Sequence, residues 1–286
     1  MGLKIWIARK ALRYPILLEI PMLITTYQGP LVNLRSKEYK MDLKADFLQG
    51  VVFFGSIQSE GTALELWKKL FLDHPPEGFQ SGSSLPGLQS NASGQIGGYS
   101  LTLTLQPGRI DLILRHPIVI GTPAPTPPPI EDVEAATKFL TQLMLQLSSD
   151  RILTRAAMVC KLLKPIGQEP EAEVNEIVQH LPAFPFPKNS SDIVVQFNSP
   201  KWFAIAPSMQ MNRLMTWQKV HLGTVQNVVG AMGGPLTFSP YFEMNIDVNS
   251  SPNLQLPPDK VEAVIDELRL EILDLCTNGY DGKSNA

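Results

Sequence analysis

Residues 98–116, GYSLTLTLQPGRIDLILRH, decide how this chain is read. Tyr99, Leu101, Leu103 and Leu105 alternate with Ser100, Thr102, Thr104 and Gln106. A strand turns successive side chains to opposite faces, so the pattern gathers one apolar set on one face. Pro107-Gly108 then breaks the run. Proline suits the first central position of a type II turn, and glycine supplies the positive φ of the second. With Gln106 opposite Arg109, Leu105 meets Ile110, Leu103 meets Leu112 and Leu101 meets Leu114. Thr104 meets Asp111 and Ser100 meets Arg115. A slip of one residue would mismatch every pair. Two-residue hairpins favour mirror-image turns that proline cannot adopt; a four-residue loop would keep the same pairing. Each buried Leu or Ile contributes about 1.5–3 kcal/mol, yet a hairpin by itself is marginal. The segment therefore requires further strands beside it and a helical layer over its leucines.

Composition sets the outer bounds. Hydrophobic residues make up 44% and charged residues 18%, which describes a globular chain with a real core. A net charge of −3 argues against a general nucleic-acid binder, which carries a basic excess. Cys160 and Cys276 both sit in apolar patterns and read as buried free thiols, which favours a reducing cytoplasm.

Residues 1–40 form an N-terminal extension. Lys4, Arg9, Lys10 and Arg13 precede the first acid, Glu19. Residues 16–24 are apolar but interrupted by Glu19 and Pro21, far short of the roughly 20 residues a membrane span needs. We read the extension as packing on the main body, with membrane-surface contact by residues 1–13 or a signal peptide as the other readings.

Downstream, periodicity predicts a strand at 51–57, a helix at 62–71 and a long loop over 74–97. The hairpin follows, then a proline-rich connector over 117–129. A helix at 130–147 is opened by Pro129. The second half reads as a strand at 152–163, a helix at 169–180 and a strand at 192–198. One strand or a pair at 209–222, a strand within 236–248 and a helix at 258–277 complete it. Residues 41–148 and 149–286 thus share a plan that opens on strand and helix and ends on a helix. The expected fold class is α+β: antiparallel sheets with helices packed on one face, in two related halves. The outer sheet face, or a groove between the halves, is the expected binding surface.

The strand start Pro107-Gly108-Arg109-Ile110-Asp111, the strand Asn212-Arg213-Leu214 with Trp217, and the late Asn245-Ile246-Asp247 carry a resemblance. Over roughly residues 46–278 the chain resembles a sporadically distributed group of uncharacterised bacterial proteins. The resemblance implies a bacterial α+β protein and assigns no site.

Catalytic signatures are absent. His74, His116, His180 and His221 lie far apart, with no Cys or His partner at metal spacing. GxSxG, HExxH and the phosphate loop do not occur. No catalytic residue, metal ligand or cofactor is assigned. Arg109 and Asp111 share one strand face and read as an ion pair or as part of a dispersed ligand site completed by Asp247. Met209, Met211, Arg213, Met215 and Trp217 share one strand parity. They read as core under the last helix, or as an interface, where Trp, Met and Arg are enriched. The expectation is a non-enzymatic bacterial interaction or assembly component, one context being a defence system. It would bind a protein partner or its own copy through Arg109, Arg213 and Trp217. The alternative is an enzyme or small-ligand receptor using Arg109, Asp111 and Asp247.

Overall fold

The computed structural model describes residues 42–55, 61–82, 90–117, 128–149, 151–180, 186–225, 236–252, 255–256 and 258–279. The expectations for residues 1–40 and for 118–127 of the connector lie outside the described residues.

The hairpin forms as its alternation dictates. β4 (Tyr99–Gln106) and β5 (Arg109–Arg115) pair with Gln106 opposite Arg109, Leu103 opposite Leu112 and Ser100 opposite Arg115. The two-residue turn is used, with Gly108 at φ 67°. The next strand inward is β1 (Lys44–Phe54), which pairs antiparallel with β5. It starts well before residue 51, because Lys44 and Asp46 are polar and hide the strand from a hydrophobic scan.

Residues 74–97 are not one loop. They contain β2 (Gly78–Ser81) and β3 (Ser90–Ile96), which extend the hairpin outward. The sequence SNASGQI turns Ser90, Ala92, Gly94 and Ile96 toward the core, too little apolar contrast to announce a strand. Small residues there serve α1 (Ala63–Leu70), whose Trp67 ring presses on Gly94; a Cβ at 94 would lie 3.1 Å from it. A reciprocal capping box starts that helix. The Glu65 amide donates to Thr62 Oγ1, and the Thr62 amide donates to Glu65 Oε2.

α2 (Val133–Ser148) begins later than Pro129 predicts. Asp132 caps it, accepting from the Ala135 amide at 2.8 Å, and Ile130 is instead bridged to Ala45. The second half supplies β6 (Leu153–Pro165), α3 (Pro170–His180), β7 (Val194–Asn198), β8 (Lys201–Trp202), β9 (Gln210–Val225), β10 (Leu236–Ser250) and α4 (Val261–Asn278). β9 is one long strand. α4 ends at Asn278, one residue past the expected end, with Gly279 at φ 67°.

The strands form one antiparallel sheet in the order β2-β3-β4-β5-β1-β6-β10-β9-β7, with β8 also paired to β9. Each half places its first strand at the centre and its last strand next to it. β1 and β6 join the halves directly, from Lys44 opposite Leu163 to Phe54 opposite Leu153. The join is a pairing of strands, which makes the two halves one continuous sheet.

Among the described residues all four helices lie on one face. Ala92, Leu103, Leu112, Gly50, Met158 and Val248 face them in one row across six strands. α2 and α4 pack on each other above the central strands. α3 covers the end of that face, where Glu176 meets Lys164 and Glu173 meets Lys219.

Candidate binding face

The other side of the sheet carries no described helix. On β1 it presents Phe47, Gln49, Val51 and Phe53, the parity opposite to Leu48, Gly50 and Val52. Six residues of strand separate the two rings by about 20 Å. Register sets their neighbours. Phe53 lies opposite Arg109 on one side and Arg155 on the other; Phe47 lies opposite Arg115 and Lys161. Each ring therefore stands between two cations. Arg109 and Arg155 are both 5.2 Å from the Phe53 centroid. Arg115 is 5.4 Å and Lys161 5.0 Å from that of Phe47. Such contacts are worth about 0.5–2 kcal/mol each, more as water is excluded.

Polar side chains fasten the face across strands. Arg109 donates from Nε to both Asp111 oxygens, at 3.0 and 2.9 Å, and from Nη2 to Oδ1 at 2.6 Å. Gln49 adds 2.7 Å to Oδ1 and Gln106 adds 3.3 Å to Oδ2. Asp111 is only 3% exposed, and this number of donors is what permits a carboxylate there. On the second half, Asn198 donates to Asn212, Asn212 to Asn249 and Asn249 to Asp247, at 3.3, 3.2 and 2.9 Å. Glu243 accepts from Gln218 at 2.7 Å and pairs with Lys161 at 3.3 Å. Asp46 is the bulged residue of β1. Burial pushes its carboxyl above the usual range, against the lowering pull of Lys161 and Arg115, with Glu243 adding to the rise.

Arg155 differs from the other cations. Among the described residues its Nε is buried with no hydrogen-bond partner, and no carboxylate pairs with the guanidinium.

The residues singled out from sequence are divided between the two faces. Arg109, Asp111 and Asp247 lie on the open face. Asp111 and Asp247 sit on β5 and β10, three strand spacings or about 14 Å apart, so they do not meet. Arg213 and Trp217 lie on the helix-covered face, 3% and 2% exposed. Arg213 donates to the Ser199 carbonyl at 2.6 Å and to Glu271 of α4 at 3.0 Å. Trp217 stacks on Phe197, with centroids 5.0 Å apart. Sequence reasoning passed over Phe47, Phe53 and Arg155. The run Val51-Val52-Phe53-Phe54 is apolar on both faces, and which ring faces which way follows only from the pairing with β5 and β6.

A cleft of about 570 Å³ opens at the start of β1, lined by Asp42, Lys44, Asp46, Glu131, Lys164 and Tyr241. Its lining mixes both charge signs. Among the described residues no three His, Cys, Asp or Glu side chains group as metal ligands, and no helix is long and apolar enough to cross a membrane. No family model, curated protein or solved structure matches this chain.

Proposed function

We propose that this protein is a non-enzymatic interaction or assembly component that binds another protein, or a second copy of itself, through the open face of the sheet. One observation carries the reading: Phe47 and Phe53 stand in the middle of that face, each held between two cations. A sheet face without helices over it is ordinarily polar. Aromatic rings and arginines are the side chains enriched at interfaces and among their dominant contacts. The cross-strand hydrogen bonds fix neighbouring side chains in advance, which lowers the ordering cost of association. The area is adequate. From β3 to β7 the face spans about 34 Å, and with about 20 Å between the rings it offers roughly 700 Å², close to the ~800 Å² per partner of a stable interface.

A ligand site built from Arg109, Asp111 and Asp247 draws less support. The first two satisfy each other, and the third lies across the sheet.

The test uses affinity capture from source cells together with light scattering of the purified chain. Thr102→Arg and Thr216→Arg place bulk and charge on the open face. Leu270→Arg alters α4 at a site 53% exposed on the opposite side. The reading expects a partner, or a dimer, that survives Leu270→Arg and is lost with the face variants. A strict monomer retaining no partner, or retention indifferent to the face variants, contradicts it.

A further inference from the structure

We infer that the row Arg109–Phe53–Arg155 is a carboxylate receptor that reads an acidic segment of the protein partner. The inference rests on the open face being the docking surface and names the chemistry of what docks there. Three observations lead to it.

The first is an incomplete charge. Arg155 is half-buried, its Nε is shut from water, and no acceptor or carboxylate among the described residues answers it. A buried charged donor without an acceptor is costly, and native structures hold few of them. The Phe53 ring offsets only part of that cost. Two other cations of the face are paired, Arg109 with Asp111 and Lys161 with Glu243.

The second is local charge. The row opposite Phe53 holds Gln106, Arg109 and Arg155 and no acid. Asp111 lies one row inward, already engaged by Arg109, Gln49 and Gln106. This end of the face therefore carries a local positive excess.

The third is shape. Both arginines sit directly opposite one phenylalanine on adjacent strands, so about 10 Å separates their backbones. The ring stands between the two guanidiniums, and the edge of a phenyl ring is its electropositive part. A planar guanidinium fork matches a carboxylate through two parallel hydrogen bonds. A nucleic acid fits less well, because its backbone phosphates run on over Asp46, Asp111, Glu243 and Asp247 of the same face, whereas a flexible acidic peptide can place one carboxylate in the row and turn the others to solvent.

The experiment measures fluorescence anisotropy of a labelled octaglutamate peptide with the full chain, at low and at physiological salt. Octalysine and a short single-stranded oligonucleotide serve as comparison probes. Octaglutamate is expected to bind in a salt-sensitive manner. Arg155→Gln should weaken it about tenfold or more while the protein stays folded, the melting temperature moving only by what the lost Phe53 contact contributes, since the side chain makes no ion pair in the fold. Arg155→Lys keeps the charge without the planar fork and should fall between the two. Lys68→Gln on α1 should change nothing. Absence of octaglutamate binding, or binding indifferent to Arg155, overturns the inference. So does tighter oligonucleotide binding with the same dependence on Arg155. A captured partner lost with Thr102→Arg yet indifferent to Arg155→Gln overturns this inference alone and leaves the open-face reading standing.

Discussion

Arg213 shows how a single residue can serve the fold while looking like a site. It sits at the end of an otherwise apolar row, and its guanidinium is consumed by Ser199 and by Glu271. Lys201 pairs with the other oxygen of Glu271. The cluster ties β8 and β9 to α4. Breaking one partner of a buried pair strands the other, so Arg213→Ala should cost about 3–5 kcal/mol in urea unfolding. Arg213→Met with Glu271→Leu should recover much of that loss. Met211, Met215 and Trp217 are core under α4, and their shared parity was legible in sequence. Which of the two readings applied was not, because it depends on what packs above β9. Cys160 and Cys276 are both free thiols, but against the expectation that both are buried only Cys160 is, Cys276 being half-buried, and nothing in the sequence marks them as neighbours. Their thiols meet between β6 and α4. The hydrogen bond to Cys276, followed by burial, holds the Cys160 thiol well above its ordinary range. The raised value in the fold means that this contribution to stability is complete below the unfolded thiol pKa of about 8.5. It is lost as pH rises toward the folded value. Urea midpoints should therefore fall above about pH 8.5 and fall less in Cys160→Ala. In native protein at neutral pH, iodoacetamide should modify the half-buried Cys276 and spare Cys160, read as one adduct by intact mass; two native adducts would contradict the placement.

At the scale of the element, close packing of α2 on β1 turns on Gly50. A Cβ there would stand 2.6 Å from Met144 Sδ and 3.1 Å from Leu140 Cγ. Gly50→Ala should destabilise by about 1–3 kcal/mol, as overpacked cores do. Met144→Ala added to it should cost less than the sum of the two single changes. Chemical denaturation of the four proteins checks this; simple additivity would show that the helix does not press on that strand. The β4–β5 hairpin was readable to the residue, because its alternation and its Pro-Gly turn agree. The helices were readable too, from their stripes and stops. β2 and β3 were not. Strand β3 contributes Ala92, Gly94 and Ile96 to the core, and its stability comes from pairing with β4 and from Trp67 above it. That is tertiary context, which local alternation does not carry. The start of α2 was misplaced for a related reason. Pro129 is a plausible first residue, but Ile130 is taken by its bridge to Ala45, and Asp132 is the first side chain free to cap.

The whole molecule is organised by the pairing of β1 with β6. These strands meet over most of their length, each has a second neighbour, and α2 and α4 pack together across them. The shared plan of the halves was visible in sequence as an order of elements. Which strands join them was not, since 98 residues lie between β1 and β6 and neither carries a mark naming the other. The same pairing creates the candidate face, because it sets Arg155 beside Phe53 and Lys161 beside Phe47. Hydrogen exchange on the full chain is the most direct check. Amides of residues 48–52 and 156–160 should be the slowest in the protein and should open together in one global event, while β2 and β7 at the sheet edges exchange sooner. Exchange of the β1 amides as fast as those of β7, or distinct opening free energies for β1 and β6, would contradict a single sheet joined at its centre.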